Sequence, residues 1–535
     1  MFLSVRLVAL LTVTIALTAA TFAQDTGVES NLPGAGFGPQ AESATPTIHV
    51  YSRETILDVL ATDNEGRPVL GLQQSDFTVL EDGKPQPLRS FREYSVAGQS
   101  TPPPQLPPNT YTNAQALPIS GPVQIFYFQM PVPAGRDADL AYGAILVRAK
   151  QYIVDYLRTM PAGTQVAIFA FLPDQGLHLV QPFTTNGKQA AAAMDSLVVQ
   201  RIATPGGADR IAAADQIADY VAGIHGRKNL IWIGPPMPIL RDGGYSWGAS
   251  DMELIHRRMD TYDRFTKEQI AIYPLDPGGL PASPKGLPVA LNKGSLFVEQ
   301  IAEQTGGQAI YNTNDYKGAV AKIVDQSSHF YTLSYVPTRP DADGHFHPIT
   351  IKVDRPGVHL TYRTGYNDEQ PKPPDPVLKE HMVQGPMRLG ALPSTQLLFT
   401  LNLEPAPAGT KDPAEEGPGK HPRIPHNATL YKASFLFDPT QLTYSESLGG
   451  KHTATLELDL GAYDSYMQLI TTRSQSIKIS LPPDKYDDLM RQPFRFIVPI
   501  SLPSGKFTLR AGLFDTLAGA AGTLEVPVDL HKPAK

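Results

Sequence analysis

The feature that most constrains this chain is a change of hydrophobic period part-way along it. Between residues 120 and 336, short apolar runs alternate with stretches of helical period, while the chain on either side is written in short β-type runs. The apolar runs are Val123–Phe128, Gln165–Leu172, Asn229–Ile233, Ile270–Pro274 and Gln308–Tyr311, with Gly176–Pro182 as a hairpin partner to the second. Continuous apolarity, rather than alternation, marks strands covered on both faces, as in parallel sheets. Between them the spacing predicts helices over 140–157, 187–199 with Asn186 as cap, 208–223, 250–268, 295–304 and 315–326. Ser250 with Glu253 three residues on reads as a capping box, and Gly306-Gly307 as a helix stop. This alternation points to a doubly wound, Rossmann-like α/β domain. No Gly-x-Gly-x-x-Gly fingerprint follows its first strand, so a dinucleotide is not indicated.

The flanks read as β. An apolar run through Ile56, Val59 and Leu60 ends at Asp63-Asn64-Glu65-Gly66, and Phe77, Val79 and Leu80 lead into Glu81-Asp82-Gly83-Lys84. Asp-Gly between such runs is the strongest short hairpin signal. About 50 residues are few for an independent core. Beyond the α/β block, Ile349, Ile351 and Val353, then Leu360 and Tyr362, form two further strands. Joining the two segments would satisfy both apolar faces and bring the ends of the α/β block together. The expected organisation is an N-terminal β-sandwich module, 46–98, completed by 337–366, with the α/β domain 120–336 inserted in it. Pro-rich linkers occupy 99–119 and 367–394, and a C-terminal β-sandwich fills 395–535. Its seven runs are Leu397–Leu403, Thr429–Phe437, Thr453–Asp459, Gln475–Ser480, Phe494–Ile500, Phe507–Phe514 and Gly522–Val528, with a polar interruption at 404–426 read as a disordered loop.

Composition narrows the function classes. Residues 1–23 have the form of a secretory signal peptide: Arg6, an apolar stretch from Leu7 to Ala20, and Thr21-Phe22-Ala23 before a mature start at Gln24, followed by a Gly/Pro/Ser-rich lead-in over 24–45. No later run approaches the ~20 apolar residues of a spanning helix. The net charge of −7 becomes −8 without Arg6, which argues against a nucleic-acid partner. With no cysteine there is no disulfide, thiol catalysis or cysteine-ligated metal. No Gly-x-Ser-x-Gly elbow is present, so no catalytic residue is assigned.

Several ordered blocks carry a resemblance: 69–77 (VLGLQQSDF), 81–84 (EDGK), 271–280 (AIYPLDPGGL), 301–307 (IAEQTGG), 331–337 (YTLSYVP) and 363–366 (RTGY). From about Ile48 to Tyr366 the chain resembles the von Willebrand factor A (VWFA)-related Acidobacterial domain family. The resemblance implies a vWA-like α/β domain whose sheet top carries a Mg²⁺ site, the MIDAS, made by Asp-x-Ser-x-Ser after the first strand, a loop Thr and an Asp after the fourth strand. Here Gln129 stands at the Asp position, Pro131 and Pro133 at the Ser positions, Thr204 at the Thr position, and Gly234-Pro235-Pro236 where the second Asp would be, with Asp242 too far along to replace it. Hard dications need oxygen ligands, normally with a carboxylate, so a degenerate site, without metal or other cofactor, is expected. Asp276, after the fifth strand, reads as a turn former close to the binding edge. Asp341-Ala342-Asp343-Gly344 reads as a hairpin turn, His345 and His347 as a solvated strand edge, and the sequon at Asn427 as incidental.

The functional expectation is an exported, non-catalytic binding, adhesion or envelope-assembly protein that contacts another envelope or extracellular protein or a glycan through loops near Gln129, Thr204 and Asp276. The alternatives are an envelope enzyme with a site assembled in three dimensions, or a surface scaffold. The sequence does not indicate an oligomeric state.

Overall fold

The computed structural model describes residues 48–50, 54–95, 106–114, 122–130, 136–198, 209–234, 249–275, 299–310, 313, 315–339, 344–368, 386–407, 410, 428–446 and 450–530. The leader 1–23, the lead-in 24–45 and most of the interruption at 404–426 lie outside these residues. After β1 (Ile48–Val50), the first β body opens with β2 (Thr55–Thr62), β3 (Phe77–Glu81), β4 (Lys84–Gln86) and β5 (Ser90–Ser95). Asp82 and Gly83 both take positive φ, 52° and 75°, so the Asp-Gly pair makes the β3–β4 turn in the sense that matches strand twist.

A short strand, β6 (Thr110–Thr112), precedes the α/β region. There β7 (Val123–Gln129), β8 (Gln165–Leu172), β9 (Gly176–Thr184), β10 (Lys228–Ile233) and β11 (Ile270–Leu275) form a sheet in the order β11-β10-β7-β8-β9. All pairings are parallel except β8–β9. Helices α1 (Arg136–Thr159) and α2 (Gly187–Ser196), with the helix Tyr316–Gln326, cover one face, where Phe126, Phe128, Ile153, Leu157, Met194 and Val320 share a core. The other face packs Ile125, Tyr127, Leu230 and Trp232 against α3 (Arg210–Val221) and α4 (Ala249–Lys267). Coverage on both sides explains why every residue of β7 is buried. Asn186 caps α2 as expected, accepting from Gln189 N. Two details differ from the sequence reading. Ser250 already lies inside α4, so it is not the residue before the helix. Of the strand expected at 308–311, the described residues 308–310 form one parallel bridge, Leu275 to Ile310. Gly306 and Gly307 stop the helix at 299–304, donating to Glu303 O and Ala302 O. A Cβ on Gly307 would lie 1.9 Å from Ile272 O, so only glycine allows this approach to β11.

The chain then returns to the first β body through β12 (His329–Tyr335), β13 (Phe346–Val353), β14 (His359–Thr361) and β15 (Gly365–Asn367). Two four-stranded sheets result, β14-β2-β12-β5 and β15-β13-β3-β4. Leu57, Val59, Phe77 and Val79 share one buried cluster with Tyr331, Leu333, Ile349 and Ile351, and Leu360 packs against it. This body meets the α/β region at a buried polar group: Asp58 of β2, which also accepts from Thr332 Oγ1 at 2.6 Å within its own sheet, accepts from Gln269 Nε2 at 2.9 Å and lies in the field of Lys228, whose Nζ donates to Glu268 O at 2.7 Å.

The last body contains β16 (Phe399–Pro405), β17 (Ala428–Phe437), β18 (Tyr444–Glu446), β19 (His452–Tyr463), β20 (Leu469–Leu481), β21 (Phe494–Pro503), β22 (Gly505–Asp515) and β23 (Ala520–Leu530). One sheet runs β1-β18-β19-β22-β23, with β20 also on β19, and faces a second, β21-β17-β16-β6, across a single core. Three boundaries are thereby corrected. β1, assigned to the N-terminal module, pairs instead with β18. The linker 99–119 contains β6, which adds to β16, and Asn113 is buried beside it, donating to Leu397 O and accepting from Phe399 N. The β-branched alternation of Thr110-Tyr111-Thr112 is what the edge strand uses. The linker 367–394 ends in ordered chain: Arg510, with no exposed surface, donates to Pro386 O and Ala391 O and pairs with Glu525 at 2.5 Å. Thr395 then ties the sandwich to α3, donating through its backbone to Asp219 O and accepting from Gly223 N.

Candidate functional site

Open α/β sheets present binding groups at the C-terminal ends of their strands. At the centre of this sheet that edge is made by β7 and β10, which are parallel neighbours with Tyr127 beside Trp232. By strand alternation Tyr127 and Gln129 point to the α3–α4 side. Gln129 is fully buried, and its side chain is a neutral amide. Gly234, immediately after β10, has φ +138°, and a Cβ there would lie 2.5 Å from Gln129 O. The two strand ends close on each other where only glycine fits. Of the residues standing at the cation-site positions, Gln129 and Gly234 lie among those described. Pro131, Pro133, Thr204, Pro235, Asp242 and Asp276 lie outside them, as do Asp341, Asp343 and Asn427.

Beneath that edge, on the same face, lies an aromatic pair the sequence reading missed, and α4 buries an arginine. Tyr127 is wholly buried, Trp232 is 5% exposed and Arg258 of α4 is 4% exposed. The Tyr127 and Trp232 rings meet edge-on with centroids 5.0 Å apart. Burial pushes the Tyr127 phenol far above its ordinary value, while the charge of Arg210, the first residue of α3, opposes that shift. Burial likewise lowers Arg258, and Arg210 adds to the lowering. A signal for Arg258 was present. It stands four and seven residues before Tyr262 and Phe265, both buried, so an arginine occupies the apolar face of α4. Away from it, α3 and α4 carry ion pairs: Arg257 with Asp209 at 2.5 Å, and Arg264 with Asp219. Burial raises the Asp219 carboxyl to about 6 despite that partner.

A second cluster corrects the reading of His347. The alternation of β13 turns His347 inward, so it is 5% exposed rather than solvated, while His345 is exposed. His347 Nδ1 lies 2.8 Å from Asp82 Oδ2, and its ring rests against Tyr366. Glu81, Asp82 and His347 bring one ligand atom each within 4.8 Å of one another. The oxygens of Glu81 are already engaged, Oε1 by Arg339 Nε at 2.9 Å and Oε2 by Tyr335 OH at 2.5 Å and Tyr366 OH at 3.0 Å. A cation would have to displace the guanidinium, which also pairs with Asp368. The cluster is a charge-compensated strap between β3, β12 and β15, and it stiffens the first β body.

No helix among the described residues is long and apolar enough to cross a membrane. No protein-family model matches the chain, and no curated protein sequence matches it. Among solved structures it is similar to the conserved hypothetical protein BatB from Bacteroides thetaiotaomicron, at 17% identity and TM-score 0.26 over 39% of this chain and 99% of that one. It is also similar to proximal thread matrix protein 1 from the mussel byssus, with a zinc-occupied MIDAS motif, at 11% identity and TM-score 0.25 over 39% and 48% of the two chains. A third is the PilB minor pilin from Streptococcus sanguinis, at 10% identity and TM-score 0.26 over 38% and 62%. Likenesses of this extent carry no inference about function.

Proposed function

We propose that the chain is an exported, non-catalytic binding or envelope-assembly protein. In this reading a vWA-like α/β domain of the VWFA-related Acidobacterial type is inserted in the N-terminal β module and presents the loops at its sheet top to another envelope or extracellular protein, or to a glycan. The observation that carries the reading is Gln129 at the buried end of β7. A Mg²⁺ site at this edge wants a carboxylate among its oxygens. Gln129 offers a neutral amide oxygen, and Pro131 and Pro133 offer no side-chain oxygen. The residues do not fit the ion, so recognition proceeds without it. The strand pairing of residues 55–95 with 329–367 supports the insertion, because it leaves the α/β region between two halves of one β body.

The test is a Mg²⁺ and Mn²⁺ titration of the full chain, followed by calorimetry and melting, beside binding to purified envelope proteins and a glycan array with and without EDTA. A ligand seen only by the folded state at 100 times its Kd stabilises by roughly 2.7 kcal/mol. The expected outcome is no metal-dependent shift and binding that survives EDTA. A Mg²⁺-dependent shift abolished by Thr204→Ala, or turnover in a hydrolase substrate panel, would overturn the proposal.

A further inference from the structure

A left-handed backbone is strained for any residue but glycine, and it persists where the surroundings hold it. Four non-glycine residues among those described adopt it: Asp82, Asn109, Gln269 and Met467, with φ of 52°, 54°, 55° and 63°. Asp82 Oδ2 meets His347 Nδ1 at 2.8 Å, and Gln269 Nε2 donates to Asp58 Oδ2 at 2.9 Å. Asn109, a residue type that tolerates this region, accepts from Leu403 N at 3.0 Å. Met467 is different. Its side chain is apolar and 55% exposed, beside Tyr466 at 83% and Leu469 at 53%. These residues form the tip of the β19–β20 hairpin, closed by the pair Tyr463–Leu469. Asp464 organises the tip. Its carboxylate accepts from the backbone N–H of Tyr466 and Gln468, at 2.8 and 2.9 Å. Its own N–H donates to Gln468 O, and its carbonyl accepts from Met467 N, both at 3.0 Å. The backbone donors of residues 464, 466, 467 and 468 are thus met inside the loop. The tip also lies at the free end of the sandwich. Thr395, which ties the sandwich to α3, bridges to Gly522, and from there β23 runs about 27 Å to Leu530, opposite Gly505 at the start of β22. Thr508 of β22 pairs with Tyr463, so the hairpin turns over at that far end.

We propose that the tip Tyr466–Leu469 is a lipid-contacting element that enters the headgroup boundary of a phospholipid bilayer. Backbone that leaves water must have its polar groups satisfied internally, and Asp464 does this for the tip. Tyrosine favours that boundary, where its ring meets hydrocarbon and its hydroxyl stays wet, and Met467 and Leu469 supply further apolar surface. The size of the tip selects the occupant. Residues 464–469 offer only a small part of the ~800 Å² a side that a stable protein interface buries. Neither a second copy of this chain nor a folded partner is held by so little, whereas affinity for a bilayer scales with the apolar area that enters it. Charge contributes little, because Lys506 stands opposite Asp529 in the β22–β23 register beside the tip, one charge of each sign. The contact is therefore with zwitterionic lipid and insensitive to salt. It uses none of the sheet-top loops of the binding role proposed above, so each can fail without the other.

The chain from Gln24 keeps every described residue and omits the apolar stretch 7–20, which would bind lipid by itself. Its partition into vesicles of phosphatidylcholine, and of phosphatidylcholine with phosphatidylglycerol, is measured by flotation at low and high chloride. Similar binding to both, unchanged by salt, is expected. Tyr466→Ser with Met467→Gly removes two exposed side chains and should lower the partition coefficient at least about tenfold. Met467→Gly alone should weaken binding severalfold and yet melt higher than the parent, because glycine takes the left-handed conformation without strain. Tyr466→Trp places a reporter at the tip. Its emission should move to shorter wavelength with vesicles and be quenched by brominated phosphatidylcholine, against the background that Trp232 and Trp247 set in the parent. No binding to either vesicle, binding that the double variant keeps in full, or binding confined to phosphatidylglycerol and lost in salt would overturn the proposal. A Met467→Gly variant that melts lower would overturn the strain on which it rests. Tip-dependent binding to a purified envelope protein, with none to vesicles, would overturn lipid as the occupant.

Discussion

Arg510→Met tests whether one guanidinium holds the entry to the C-terminal sandwich. Arg510 has no exposed surface, and its donors reach Pro386 O, Ala391 O and Glu525 Oε2. Methionine keeps much of the apolar stem and removes every donor, so the change isolates the polar contribution. Breaking a buried pair by removing one partner costs about 3–5 kcal/mol. Glu525 is not fully stranded, because its side chain is 25% exposed and still accepts from Gly390 N at 3.0 Å, which places the expectation near the lower end, about 3 kcal/mol. For a sandwich of this size that is a melting shift of roughly 10 °C. Differential scanning calorimetry of the full chain reads it directly. Limited proteolysis gives a second readout, since residues 386–391 lose their anchor and should become cleavable before the sandwich melts. Adding Glu525→Gln removes the stranded charge and should recover about 1 kcal/mol or more, as coupled groups do. An Arg510→Met shift below about 3 °C, with residues 386–391 still protected, would refute the clamp.

Other expectations follow from groups already placed. Burial lowers Lys228 to about 8, against 10.5 for the free side chain. Below pH 8 both states hold the proton, whereas between 8 and 10.5 only the unfolded chain does, so this lysine makes stability rise with pH by up to ~1.4 kcal/mol per unit. Paired urea melts of wild type and Lys228→Met should diverge by about 3 kcal/mol across that window; a constant difference would count against it. Gly307→Ala forces a Cβ against Ile272 O and should cost about 2 kcal/mol or more by thermal melting. Ile351→Ala should cost about 2–5 kcal/mol, and hydrogen exchange should speed up in 55–62 and 77–81 as well as in 346–353. Faster exchange confined to 346–353 would mean that the first β body is not one core.

What could be read from residue order follows from how local the signal is. β8 lies where the unbroken apolar run from Val166 to Leu172 places it, the Asp-Gly turn and Gly306 are fixed by a positive φ that few other residues adopt, and Gly307 by its close approach to Ile272 O. The seven runs of the sandwich were visible, though β19 and β20 extend well past them, because cross-strand pairing carries polar positions such as Thr471 and Arg473 that have no apolar signal. β6 was hidden by the prolines around it. β1 was beyond reach, since a three-residue strand whose partner is β18 exists only through residues hundreds of positions away. The cation-site positions could be aligned but the buried aromatic pair could not. Tyr127 and Trp232 meet only once β7 and β10 are paired, and nothing in their spacing says so.

The way the two β bodies are stitched has a consequence for how the chain comes into being. Thr332 bonds Asp58 across 274 positions, and Thr112 bonds Phe399 across 287. Closing loops of that length costs about 5 kcal/mol each in chain entropy, growing only slowly with length, and such non-local pairing makes folding slow. A chain made from its N-terminus emits β2 to β5 long before β12 and β13 exist, and β1 and β6 long before the other strands of the sandwich. Those early segments stay open-edged, the state in which strands join the wrong neighbour. The α/β region between them is different, because its sheet pairs strands drawn from one contiguous stretch, 123–275. It can close first and hold the two waiting ends of the outer body near each other, so that the order of synthesis and the nesting of the fold work together.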